Sequence, residues 1–458
     1  MEHPLVIIGA GPSGLAAAAH AHERGLNTVV VEAGSSAGAT VLEWSHVRLF
    51  SPWSELVDLA AGALLARAGW QPPAPTAYPT GADWTHRYLR PLADALDATD
   101  LLSVRYGHRV TGVTRRGRDL MVDAGRESEP FLIHLQTPAG PVRLLAGAVI
   151  DASGTWTTPN PLGGDGLPAL GEVEHAAQVS YRVPDFTDAT VRARYAGRHV
   201  AVAGTGASAQ NTLVELTRLA QENPETRITW LMRRAAAGDA FGGGDNDQLV
   251  ARGALGSRAQ AAVDSGPVRT LTTFRTSAVT HDAEGRLRLE SLDGQHVDTV
   301  DEVVVVTGFR PDLTALSEIR LDLDPVLQAP RALAPLIDPN VHSCGTVYPH
   351  GAKELAQPES GFFLAGMKSY GRAPSFLALT GFEQTRSIVA AIAGDHQAAA
   401  RVELTLPETG VCGGSGLFDS EDSTKDATDN GAGDAGGGYC GTPPSTTELI
   451  TIGSPGPE

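Results

Sequence analysis

A short apolar run, Pro4 to Ile8, leads straight into Gly9-Ala10-Gly11-Pro12-Ser13-Gly14, then into an alanine-rich stretch from Ser13 to about Arg24, and then into a second apolar run, Thr28 to Val31. The pattern reads as strand, tight turn, helix, strand. No other segment restricts the fold as strongly, because the three glycines have separate jobs in one device. Gly9 permits the turn, Gly11 lets the backbone approach a pyrophosphate closely, and Gly14 lets the helix pack against the strand. Pro12 and Ser13 open the helix whose N-terminus then faces the phosphates. Glu32 stands 18 residues after Gly14 at the end of the second run, where a carboxylate accepts hydrogen bonds from ribose hydroxyls. The segment predicts a dinucleotide site, with FAD as its occupant.

The pattern occurs again. A strand-like segment from His199 is followed by Gly204-Thr205-Gly206-Ala207-Ser208-Ala209, with alanine in place of the third glycine, and a further strand runs from Arg227 to Met232. Arg233 and Arg234 follow it, with no carboxylate where the adenosine ribose would lie. A planar guanidinium fork suits a 2′-phosphate, which a carboxylate would repel. NADPH is therefore the preferred second cofactor, and NADH with two solvated arginines is the other reading. Asp151-Ala152-Ser153-Gly154 and Val306-Thr307-Gly308-Phe309 each end a strand in a small-residue turn, one before and one after the second fingerprint. That order predicts an α/β fold of two Rossmann-like dinucleotide-binding domains, the NADPH domain inserted in the FAD domain. Residues 1–160 and 311–406 are expected to form the FAD domain and 161–310 the NADPH domain. Residues 36–101, rich in Trp, Pro and helix-like stretches, read as an excursion on the substrate side. Alternation predicts strands over 104–122 and 131–150, and a closing helix is expected from about 375 to 393.

Composition sets limits on partners. The formal charge of −18 disfavours nucleic acid and anionic membranes, and no apolar run is long enough to span a bilayer. Cys344, Cys412 and Cys440 are the only cysteines, too scattered for a disulfide framework or a zinc site. No metal is expected, and the reading is cytoplasmic. From about Pro407 glycines cluster, Lys425 is the only base, and apolar periodicity stops until Leu449. Residues 407–458 are expected to be a disordered acidic tail.

Three strings carry a resemblance: Trp44 to Trp53 (WSHVRLFSPW), Gly154 to Pro161 (GTWTTPNP) and Gly366 to Pro374 (GMKSYGRAP). With the two fingerprints they make residues 4–400 resemble class B flavin-containing monooxygenases, and more narrowly the flavin monooxygenase-like proteins encoded in bacterial arsenic-resistance gene clusters. The resemblance implies that NADPH reduces FAD and that the reduced flavin takes up O2 as a C4a-hydroperoxide. That species would oxygenate a soft small-molecule nucleophile such as a trivalent arsenical, a sulfur compound or a nitrogen compound. It adds Trp44, Trp53, Gly154, Thr307, Gly308, Gly366 and Met367 to the cofactor contacts, with Trp156 as a further wall of the flavin pocket. Lys368 and Arg372 become candidates for stabilising reduced flavin or NADP phosphate, and His175 a candidate catalytic residue. The sequence departs from the pattern twice. Leu170-Gly171-Glu172-Val173-Glu174-His175 keeps a signature glycine and histidine but loses the aromatic residue, and Met367 follows Gly366 where many such flavoproteins place an aspartate. No Cys-x-x-Cys or Cys-x4-Cys pair exists, so a dithiol relay lacks its reactive part. The alternative is a flavin oxidoreductase that passes electrons from NADPH to a thiol, quinone or protein. A symmetric dimer is the commonest assembly for such a chain.

Overall fold

The computed structural model describes residues 2–247, 249–340, 349–374 and 376–404. They all fall within the unit Met1–Phe418. Cys344, Cys412, Cys440 and the tail expected over 407–458 lie outside the described residues.

Leu5–Ile8 and Thr28–Val31 are buried at every position, the pattern of central strands covered on both faces. They pair in parallel, Leu5 with Thr28 through Ile8 with Val31. The sheet has five strands in the order Phe362–Leu364, Ala148–Asp151, Leu5–Ile8, Thr28–Val31, Leu102–Arg105, every neighbouring pair parallel. A second five-stranded parallel sheet is ordered Val268–Leu271, Arg227–Leu231, His199–Ala203, Glu302–Val305, Val179–Ser180. Each unit also carries a three-stranded antiparallel meander just before the strand that pairs with the far side of its first strand. The meanders span Arg109–Arg115, Phe131–Thr137 and Gly140–Ala146 in one unit, and Thr276–His281, Leu287–Ser291 and His296–Val300 in the other. The outermost strand of the first sheet, Phe362–Leu364, returns only after the whole second unit. The architecture is thus the expected α/β one, with the NADPH unit inserted in the FAD unit.

The expected strand over 104–122 is divided. Leu102–Arg105 joins the parallel sheet, and the meander strand stops at Arg115. Gly117 has φ +68°, and the loop beyond it delivers Arg126 to the interior. Arg115 and Arg126 donate to opposite oxygens of Glu359, at 2.8 and 2.7 Å, so the loop is held by buried charge instead of ladder hydrogen bonds. The closing helix runs over Ala378–Ile392.

The excursion folds into short helices, including Trp53–Leu56, Leu59–Arg67, Gly81–Trp84 and Arg90–Asp97; Leu59–Arg67 and Arg90–Asp97 pack on the first fingerprint helix, Pro12–Glu23, and Trp53–Leu56 packs on Ala378–Ile392. Trp53, Trp84 and Tyr88 are buried in that core. Asp58 caps Leu59–Arg67 by accepting from Ala61 N and also meets His20 Nε2 at 3.0 Å. Burial opposes the charge on His20, but hydrogen bonds and attraction from Asp58 and Glu23 prevail and raise it to about 9. Among the described residues, no helix is long and apolar enough to cross a membrane.

Candidate functional site

In open parallel sheets ligands bind beyond the carboxyl ends of the strands, and the first fingerprint lies there. Gly9 has φ +101°, and a Cβ on it would stand 2.9 Å from Ala152 O. A Cβ on Gly14 would stand 1.9 Å from Gly9 O, which is the close helix packing expected of the third glycine. Gly11 differs: a Cβ there would meet nothing within 4 Å. It faces open space at the start of Pro12–Glu23, a helix with no side-chain N-cap and hence with unclaimed N–H groups. The Glu32 carboxylate is fixed by Ala10 N at 2.8 Å and Gly34 N at 2.7 Å. Open cradle, uncapped helix and fixed carboxylate fit the pyrophosphate and ribose of FAD.

Three segments distant in sequence meet beside this turn. Lys368 Nζ donates to Asp151 Oδ2 at 2.7 Å and to Ser153 Oγ at 3.0 Å, and Ser153 Oγ donates to Asp151 Oδ1 at 2.6 Å. Asp151 and Lys368 are 2% and 5% exposed, whereas Ser153 is exposed. Gly366, with φ +66°, leaves room for Ser13: a Cβ on it would stand 2.7 Å from Ser13 Oγ, as would one on Gly381 of the closing helix. Gln384 of the closing helix accepts from Gly366 N at 2.8 Å and donates to Ser369 Oγ at 2.9 Å. Met367 is half-buried beside it. Arg372 is exposed and hydrogen-bonds Gln328 Oε1 at 3.0 Å. Burial, and then repulsion from Arg372, lowers the Arg310 guanidinium from its ordinary value. Hydrogen bonds from Thr314 and, more weakly, the Lys368 charge hold the Asp312 carboxyl low.

The second fingerprint repeats the first with variations. Gly204 has φ +126° and lies against Val306 O, Gly206 faces open space, and Ser208 and the buried Ala209 sit in the first turn of Ala207–Glu222, again without a side-chain cap. Trp230 Nε1 donates to Gly204 O at 2.7 Å. Past the end of Arg227–Leu231, Arg233 is lowered by burial and then by repulsion from Arg275 and Arg234, so three guanidiniums gather at this strand end.

The two crossovers are bound to each other. Asn160 N donates to Gly308 O and Arg310 N to Thr158 O, both at 2.9 Å, while Asn160 Nδ2 donates to Thr307 O at 3.0 Å. Gly154 has φ +73° and open space beside it. Trp156 stacks on Phe309 with ring centroids 4.8 Å apart, Arg182 lies 4.1 Å over the Trp156 ring, and Trp156 Nε1 donates to Glu43 Oε2 at 2.7 Å. Glu43, His46 and Arg182 also line a cleft of about 280 Å3 between the excursion and the NADPH unit. Trp44 is half-buried against Gly81, and Trp53 lies in the core. The His175 and His281 rings lie with centroids 3.9 Å apart and planes tilted by 39°. Sequence reasoning missed Arg275, Gln384 and Arg182, and read Asp151 and Ser153 only as part of the first crossover. Only Arg275 had a cue, as a further base in the unit that already showed Arg233 and Arg234.

A family model described as pyridine nucleotide-disulphide oxidoreductase matches residues 6–338. No curated protein sequence matches the chain. Among solved structures, it is similar to the bacillithiol disulfide reductase of Bacillus cereus, at 19% identity over 86% of this chain and 99% of that one, TM-score 0.61. It is also similar to the flavin-containing monooxygenase from Stenotrophomonas maltophilia, at 21% identity over 86% and 98%, TM-score 0.51. A third is the FAD-bound cadaverine monooxygenase from Erwinia amylovora, at 13% identity over 88% and 98%, TM-score 0.59. At these identities the likeness establishes the fold. FAD and NADPH, read from the two fingerprints, accord with the family and with the residues that line each groove.

Proposed function

The chain belongs to the pyridine nucleotide-disulphide oxidoreductase family, and from that premise we propose that it is an FAD-dependent, NADPH-using monooxygenase acting on a soft nucleophile. A trivalent arsenical is the first candidate, on the strength of the strings Trp44 to Trp53 and Gly366 to Pro374; sulfur and nitrogen compounds are the others. The cofactors supply the electrons and the activation of O2. The protein supplies binding, orientation and exclusion of water.

The observation that carries this reading is the chemistry of the edge at which the FAD turn, the first crossover and Gly366 meet. Its polar side chains include Ser13, Asp151, Ser153 and Lys368, and the sequence holds no paired cysteines with which to relay electrons to a disulfide. Gly11 and the N-terminus of Pro12–Glu23 take the FAD pyrophosphate, and Glu32 takes the ribose. Gly206, Arg233, Arg234 and Arg275 hold NADPH by its phosphates. Arg372 and Arg310 form a cationic rim beyond the second crossover that suits an anionic cofactor group. The paired crossovers, braced by Trp156, Phe309 and Arg182, fix how the two cofactors are presented to each other. His175, against His281, remains a candidate for contact with the nicotinamide cofactor in the NADPH unit.

The family itself favours the second reading, electron transfer to a thiol, quinone or protein without oxygen insertion. Turnover with methyl phenyl sulfide and with arsenite under isotopically heavy dioxygen separates the two. Heavy oxygen in the product is the expected result; turnover that continues without dioxygen contradicts it.

A further inference from the structure

Both reactions open to a reduced flavin facing dioxygen consume a proton. Oxygenation converts NADPH, H+, O2 and substrate into NADP+, water and oxygenated substrate, and simple oxidation converts NADPH, H+ and O2 into NADP+ and hydrogen peroxide. A shielded site must therefore import a proton in each turnover. Resting on the flavoenzyme reading above, we propose that Lys368, Asp151 and Ser153 form the proton relay of this site, with Ser153 as its outlet.

The geometry has a direction. Asp151 and Lys368 are an ion pair removed from solvent, which by itself adds little to stability because desolvation offsets most of the attraction. Ser153 is the exposed member. Its Oγ accepts from Lys368 Nζ and donates to Asp151 Oδ1, so one hydroxyl rotation turns its O–H from Asp151 towards the cradle. As that proton leaves Oγ for an acceptor at the sheet edge, Lys368 Nζ passes one of its own to Oγ. The outcome is one proton delivered, an unchanged serine and a neutral Lys368, which takes its proton back from solvent through the exposed Ser153 hydroxyl by the same hydrogen bond. Position supports the assignment. Ser153 Cα lies 3.1 Å from where a Cβ on Gly9 would be, so the backbone that carries the hydroxyl lies against the FAD fingerprint itself. The carboxylates facing the ammonium are Asp151 on the strand end and Asp312 beyond the second crossover. The closing helix contributes the uncharged Gln384, through Gly366 and Ser369.

The test uses the FAD-loaded protein with Ser153→Ala, Ser153→Thr and Lys368→Met. Three readouts are followed across pH: the rate of anaerobic flavin reduction by NADPH, the rate of reoxidation when O2 is admitted, and the reduction potential of the bound flavin by dye equilibration. Ser153→Ala is expected to leave reduction by NADPH within about twofold and to slow reoxidation about tenfold or more, in the range of a lost general acid. Its reoxidation rate should follow a different pH profile from wild type, and Ser153→Thr should restore the wild-type profile. Lys368→Met should change the slope of potential against pH. If that variant fails to fold, the exposed Ser153 pair decides alone. A Ser153→Ala protein with the wild-type reoxidation profile would overturn the relay while leaving the flavoenzyme reading intact. A wild-type protein that bound FAD but took no electrons from NADPH would overturn both.

Discussion

The two nucleotide units of this chain are the same framework built twice. Each has five parallel strands, a three-stranded meander at the same place in the order, and a glycine turn feeding an uncapped helix. They differ at the strand ends. The FAD unit ends its second strand in Glu32, clasped by two backbone amides; the NADPH unit ends its own among Arg233, Arg234 and Arg275. The FAD unit packs its helix against bare Gly14, the NADPH unit against the methyl of Ala209. Only the FAD sheet is completed by a strand from beyond the other unit, and that strand brings Lys368 to Asp151. Framework and cofactor choice are thus separable: burial of apolar strands sets the first, and a few polar residues at carboxyl ends set the second.

The sharpest way to break this pairing is at the third fingerprint position. Gly14→Ala would place a methyl 1.9 Å from Gly9 O and is expected to abolish FAD retention, seen as loss of the visible flavin spectrum after gel filtration. Ala209→Gly, the reciprocal change, should cost about 1 kcal/mol of helix stability and leave FAD bound. Next in size is Lys368→Met. Stranding the buried Asp151 carboxylate should lower unfolding free energy by about 3–5 kcal/mol, whereas no such loss follows replacement of exposed Arg372.

Two buried histidines give the units opposite responses to pH. His20 is raised to about 9 from 6.5, so the folded state binds the extra proton between those values. Its contribution, on the order of 3 kcal/mol, is complete below pH 6.5 and is lost as pH rises through about 9. His199 in the NADPH unit is lowered by burial and by Arg227; its contribution is complete above pH 6.5 and is lost as pH falls below it. Denaturation curves of His20→Gln should therefore flatten on the alkaline side, and those of His199→Gln on the acid side. The smallest effect expected is on cofactor discrimination. Arg233→Ala with Arg234→Ala should raise KM for NADPH about tenfold to a hundredfold, the worth of one or two charge-assisted hydrogen bonds, and leave KM for NADH within about twofold.

The framework was legible because its signals are local. Fingerprint, helix and second strand of each unit lie within a few dozen residues, and the fully apolar strands read directly as buried. Glu32 and the arginine pair Arg233-Arg234 were legible for the same reason. The Lys368–Asp151 contact was not, because it joins positions 217 residues apart across an inserted unit, and neither residue carries a periodic or spacing signal. Lys368 was visible as a charge near a helix start, but its partner was visible only as part of the first crossover. Strand alternation past Arg115 misled because Leu120 and Val122 are apolar residues in a loop held by Arg126 and Glu359, and periodicity does not register a buried ion pair. Trp53 drew notice as a pocket wall, yet tryptophan in a helical excursion is as readily core.

The most direct test is an anaerobic titration of the FAD-loaded protein with NADPH, and separately with NADH, followed by the flavin absorbance. The account predicts stoichiometric bleaching by NADPH at concentrations well below those NADH requires, with colour returning when O2 is admitted. Bleaching by neither nucleotide, or by NADH in preference to NADPH, would contradict it.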